Sequence, residues 1–111
     1  KYAEAEKALR EAVRLNPDHA GAHDLLSWAL FHQQKHAEAE TTFRVSVRLT
    51  PDKAAVHYGL GSSLVEQQKF AEAEMALRKA LRLDPQHRWA PGLLKRALAG
   101  QDNPQETEEP K

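Results

Sequence analysis

A stretch running from Ala20 to Pro51 recurs 34 residues later, from Ala54 to Pro85. Leu26 falls on Leu60. Gln34, Lys35 and Ala39 fall on Gln68, Lys69 and Ala73; Phe43 on Leu77; Leu49 on Leu83; Pro51 on Pro85. One step back along the same offset, Pro51 falls on Pro17, Leu49 on Leu15 and Ala39 on Ala5. A period of about 20–50 residues marks a solenoid, whose unit cannot bury its apolar face alone and so stacks on its neighbours. The repeat therefore constrains the fold more tightly than any other feature of the chain.

By length alone, 111 residues would form one small domain. In a repeat array the core is instead a stripe along the stack. Lys plus Arg equals Asp plus Glu at 16 each, so net charge offers no reason to expect a nucleic-acid partner. With no cysteine there is no disulfide framework, no thiolate nucleophile and no cysteine metal site. The longest apolar run is far short of the roughly 18 residues a membrane span needs. No targeting segment is visible. The chain opens at Lys1 in mid-repeat, which reads as a fragment, and the residues assign no compartment beyond a slight preference for the cytoplasm.

The apolar periodicity predicts six helices. Ala5, Ala8, Leu9, Ala12 and Val13 recur at three- and four-residue steps in the first, Lys1 to Leu15. Asn16-Pro17-Asp18 ends it, because proline restricts the residue before it and lacks the amide that would continue the helix. Helices over 20–33 and 37–49 follow, separated at Gln34-Lys35-His36, and the same two recur over 54–67 and 71–83. The last is expected from about 88 to Ala99, with Pro91 in its first turn and Gly100 as its stop. The short connections force antiparallel neighbours. Small residues at Ala29, Ala39, Gly61, Ala73 and Ala80 mark close helix approach, and Gly59 reads as an open spot on its helix. Residues 100–111 carry four acids, two prolines and no large apolar residue, the composition of a disordered acidic tail.

With these residues in place, the chain resembles the tetratricopeptide repeat, a 34-residue unit of two helices. The likeness rests on Leu60, Gly61, Phe70, Ala73, Leu77, Ala80, Leu83 and Pro85 in one unit. In the other it rests on Leu26, Ala39, Phe43, Leu49 and Pro51. Both units depart from the family in carrying His23 and His57 where an early tryptophan or tyrosine is preferred. The resemblance implies an all-α, right-handed α-solenoid over 1–99. The second helix of a truncated repeat would occupy 1–17, full repeats 20–53 and 54–87, and a final helix 88–99. It also implies a concave face, lined by the first helix of each pair, that holds peptides or helices of partner proteins.

On that face the expected partner-binding residues are Leu25, Trp28 and Phe31 from the first unit. Tyr58, Ser62 and Val65 come from the second, and Trp89 and Arg96 from the last helix. Large aromatics bury much area per contact and can anchor a bound segment. The other reading of Trp28 and Phe31 is packing between helices. Some members of the family grip a chaperone's C-terminal carboxylate with lysine, arginine and asparagine. The matching places here hold Asp24, Trp28 and Gly59, with only Arg96 basic, which argues against that activity and for an apolar or helical ligand.

Arginines on the second helices (Arg10/Arg14, Arg44/Arg48, Arg78/Arg82) are spaced four apart, with glutamates at the opposite helix ends. That split follows the helix dipole, and a solvated outer face is the simplest reading. His19/His23 and His32/His36 are each spaced i,i+4, but no third ligand completes a metal site. No catalytic constellation or cofactor motif is present. The expectation is a non-catalytic interaction module without a cofactor. The alternatives are a domain that self-associates through the exposed ends of the array, or one that regulates an attached enzyme.

Overall fold

The computed structural model describes residues 1–102. They form α1 (Tyr2–Leu15), α2 (Ala20–Phe31), α3 (His36–Leu49), α4 (Ala54–Glu66), α5 (Phe70–Leu83) and α6 (Ala90–Gln101), with no strand among them. None of these helices is long and apolar enough to cross a membrane. Each helix packs on the next in the chain, and α4 also touches α2 and α6. The result is an all-α solenoid in which α2/α3 and α4/α5 are the complete pairs. The first helices α2, α4 and α6 crowd one another and so lie on the inner side. The second helices α1, α3 and α5 lie outside.

The turn within each pair has one construction. Gln34 and Gln68 adopt left-handed backbone, at φ 68° and 62°. The Lys35 amide then donates to the Leu30 carbonyl at 3.0 Å and the Lys69 amide to that of Leu64 at 2.9 Å. This arrangement satisfies carbonyls that a helix end leaves open. Between pairs, the histidines that replace the early aromatic take a structural part. Nε2 of His23 donates to the Pro17 carbonyl and Nε2 of His57 to that of Pro51, each at 2.7 Å. A carbonyl can only accept, so both rings carry their proton on Nε2.

The core is one stripe through all the repeats, including Leu26, Leu30, Phe43, Leu64, Leu77 and Ala97. Two glycines shape it. A Cβ at Gly61 would lie 2.7 Å from the Leu77 side chain, as expected for a close approach within a pair. Gly59 is not an open spot. A Cβ there would enter the Phe43 ring, so α3 packs on α4 only because this position has no side chain.

The last helix differs from the sequence expectation at both ends. It starts at Ala90 rather than 88, because His87 Nδ1 accepts from the amides of Trp89 and Ala90 at 3.2 and 3.1 Å and so caps it. It continues through Gly100 to Gln101 rather than stopping at Ala99. Gly100 lies inside the helix against the Phe70 ring, where a Cβ would clash. The rest of the expected tail, 103–111, lies outside the described residues.

Gln101 completes a set that repeats every 34 residues. Gln33, Gln67 and Gln101 each donate through Nε2 at 2.9 Å to a glutamate of the preceding second helix: Glu6, Glu40 and Glu74. Arg10, Arg44 and Arg78 bind the same carboxylates at 2.8, 3.0 and 2.7 Å, and Lys35 and Lys69 add contacts at 3.2 Å to the first two. Hydrogen bonds from Arg10, Gln33 and Lys35 hold Glu6 down to about 2. Burial pushes Glu40 up, but the bonds from Gln67, Arg44 and Lys69 outweigh it and leave it lowered. Gln101 and Arg78 lower Glu74. A carboxyl that titrates lower in the folded chain contributes stability above its unfolded value and loses it as pH falls through the folded one. The urea midpoint is therefore expected to fall between the ordinary value of 4.5 and about 2. A triple Glu6→Gln, Glu40→Gln, Glu74→Gln variant should show a flatter dependence. An unchanged slope in that variant would assign the acid sensitivity elsewhere.

Candidate functional site

Aromatic rings run in a continuous row across the inner face. Tyr2 of α1 stacks on His32 at 4.7 Å between ring centres, and His32 lies 6.0 Å from Trp28. Trp28 lies 6.2 Å from Tyr58, and Tyr58 lies 6.3 Å from Trp89 and 4.8 Å from His87. The row crosses three helix layers because the solenoid brings residues 30 positions apart, such as Trp28 and Tyr58, side by side. Trp28, His32, Ala55, Tyr58, His87 and Trp89 line an open groove of about 530 Å³.

The groove is held from behind. Trp28 meets the edge of the buried Phe43 ring at 5.0 Å and that of Phe31 at 5.3 Å. Such edge-to-face contacts add to burial and fix ring orientation. His87 is held by the amides of Trp89 and Ala90, which both donate to its Nδ1. Trp89 opens α6 and is 61% exposed, with the Arg88 guanidinium 5.8 Å from its ring centre.

None of the six lining residues is an acid, a lysine or an arginine. Arg88, next to Trp89, places its guanidinium over that ring, and two further charged pairs nearby are engaged with each other. Lys53 binds Asp24 at 2.9 Å, and Arg96 lies 3.9 Å from Glu66. The lining is thus largely aromatic, with two imidazoles, the Tyr58 hydroxyl and two indole N–H groups as its side-chain polar groups.

Of the eight positions expected from the sequence, Trp28, Tyr58 and Trp89 come together in the groove. Phe31 is half-buried behind Trp28, against His36 at 4.7 Å, so its packing reading fits better than direct contact. Leu25 and Arg96 are exposed but do not line the groove. Ser62 and Val65 need correction. They are 5% and 2% exposed, because α4 is the central helix, flanked by α2, α3, α5 and α6. The Ser62 hydroxyl donates to the Tyr58 carbonyl at 2.9 Å and so supports the helix rather than a ligand. His32, Ala55 and His87 line the groove without standing among those eight. The signal for His87 was the offset: it stands two periods after His19, whose Nδ1 likewise caps its helix by accepting the Ala22 amide at 3.0 Å. The histidine pairs have other uses, with His19 in a cap, His23 on a carbonyl, His32 stacked on Tyr2 and His36 edge-to-face with Phe31.

Two family models described as tetratricopeptide repeat match the sequence, one over residues 1–54 and one over 54–87. No curated protein sequence matches it. Among solved structures, the fold is shared with the first such domain of human RPAP3, at TM-score 0.90 and 21% identity over 97% of this chain and 85% of that one. It is shared also with the first repeat domain of Spaghetti bound to the HSP90 peptide SRMEEVD, at TM-score 0.88 and 22% identity over 92% and 81%. The O-GlcNAc transferase of Thermobaculum terrenum is 31% identical at TM-score 0.78, over 84% of this chain but only 18% of that protein.

Proposed function

Because this chain belongs to the tetratricopeptide repeat family, we propose that it is a non-catalytic interaction module that holds an apolar or helical segment of a partner protein in the aromatic groove. The observation that carries this reading is the alignment of Trp28, Tyr58 and Trp89 along one open groove whose lining holds no acid, lysine or arginine. Trp28, held edge-on from behind by Phe43 and Phe31, is pre-organised, so a ligand gains contact area there with little ordering cost. An amphipathic helix laid in such a groove would present its apolar residues at three- and four-residue spacing.

The ligand differs in kind from the acidic peptide SRMEEVD bound to the Spaghetti domain. An acidic tail would meet no lysine or arginine among the lining residues here. Arg96, the one basic side chain at a place matching the family's carboxylate clamp, stands outside the groove beside Glu66. Peptides selected from a random display library on the wild-type protein should therefore be rich in Leu, Ile and Phe. A Tyr58→Ala variant should lose about 2 kcal/mol of their binding, near thirtyfold in affinity. SRMEEVD should not compete. If every selected peptide bound Tyr58→Ala and Trp89→Ala as tightly as the wild type, the groove would be removed from the function.

A further inference from the structure

The outer face carries a second surface, and the repeat supplies its own control. Between α1 and α3 runs a small groove of about 200 Å³, whose lining includes Thr41 and Thr42 above Leu30, with Arg10 and Glu38 at its sides. Between α3 and α5 the same groove recurs at about 430 Å³. Arg44, Leu64 and Glu72 repeat Arg10, Leu30 and Glu38 at the 34-residue offset. The two remaining positions change together, Thr41 to Met75 and Thr42 to Ala76. In the first groove both hydroxyls are used, donating to the carbonyls of Ala37 and Glu38 at 3.2 and 3.0 Å. In the second, Met75 stands 73% exposed beside Val47, Leu60 and Ala76. The framework is kept, and only the outer lining has become apolar. Methionine is a flexible side chain that suits an adaptable contact.

The rim changes in charge at the same place. At the same 34-residue offset, Val45 and Arg48 of α3 become Lys79 and Arg82 of α5, so the later wall of the second groove gains a cation beside an arginine that α3 also carries. Lys79 and Arg82 both line the groove, and neither has an ion pair or hydrogen bond among the described residues. Like charges one turn apart repel and favour an anionic counterpart.

We propose that the groove between α3 and α5 docks an acidic amphipathic segment of a partner protein, distinct from the ligand of the inner groove. Its apolar residues cover Met75, Ala76 and Val47. Its carboxylates meet Lys79 and Arg82. The acids of residues 103–111 cannot fill this role, because that stretch has no large apolar residue for the floor. Glu72 in the lining disfavours a phosphate polymer.

The test is a random-peptide display selection on the wild-type protein, counter-selected on a Met75→Thr, Ala76→Thr variant. That variant carries the first groove's own residues on the same framework, so its fold is expected to hold. Peptides that are lost on the variant should combine Asp or Glu with Leu, Ile or Phe. A synthetic copy of one should bind the variant and Lys79→Glu at least about tenfold more weakly than the wild type. The same peptide should bind Trp89→Ala unchanged. Three results would overturn the proposal: no variant-sensitive peptide emerges, the sensitive peptides are basic, or a uridine-rich RNA oligonucleotide binds in a manner lost in Lys79→Glu. Concentration-dependent sedimentation of the wild type that the double variant abolishes would also overturn it, by assigning the groove to a second copy of this chain.

Discussion

Phe43→Ala is expected to lower the free energy of unfolding by about 3–5 kcal/mol, the usual cost of truncating a fully buried phenylalanine. Phe43 is 1% exposed and is the largest of the fully buried side chains. It leaves α3, fills the gap over Gly59 of α4 and meets Trp28 of α2 edge-on at 5.0 Å. One ring therefore joins two repeats and supports the groove. Each repeat contacts only its neighbours, so a void at this junction has few other contacts to compensate it. Small domains have about 5–15 kcal/mol in total, and the variant should unfold at a much lower urea concentration by far-UV circular dichroism. Its near-UV signal should weaken as well, because Trp28 loses its support. A loss below about 1 kcal/mol would mean that the repeats collapse freely onto the void, and that the junction is softer than its burial implies.

Gly59→Leu should cost about 3 kcal/mol, the upper part of the usual range for overpacking. A helix would normally gain about 1 kcal/mol when glycine is replaced. Here the first added carbon enters the Phe43 ring, and the helix that carries it is enclosed on four sides. The ring must leave its place or α4 must move away from α3. The two substitutions are therefore coupled. In a Phe43→Ala, Gly59→Leu double variant, the new side chain would occupy space that the ring vacates. The combined loss should fall short of the sum of the single losses by about 0.5–3 kcal/mol. Strict additivity in denaturant titrations would show that the ring and the glycine do not share one space.

Much of the fold was legible in one dimension. The Pro17, Pro51 and Pro85 ladder located the breaks between pairs, and Gly61 was correctly tied to close packing. The end of α6 was misjudged because Gly100 was taken for a stop, although Gln101 stands one period after Gln67. The common part of the glutamines becomes clear only when each is seen reaching back to a glutamate of the preceding second helix. Gly59 was opaque for a similar reason. The ring that needs the space belongs to α3, and no helix pattern within α4 announces it.

The candidate groove divides in the same way. Trp28, Tyr58 and Trp89 could be named from the first-helix positions, whereas Ser62 and Val65, at the places equivalent to Trp28 and Phe31, proved buried. The sequence by itself determined the period, the order of helices and the face on which each side chain starts, because these follow from local geometry and a 34-residue echo. Only the tertiary structure decided which equivalent positions remain open to a ligand. Exposure is set by the helices stacked on either side: α4 is covered from Gly59 to Val65, while its Ala55 and Tyr58, the rings of α2 and the start of α6 are left at the groove.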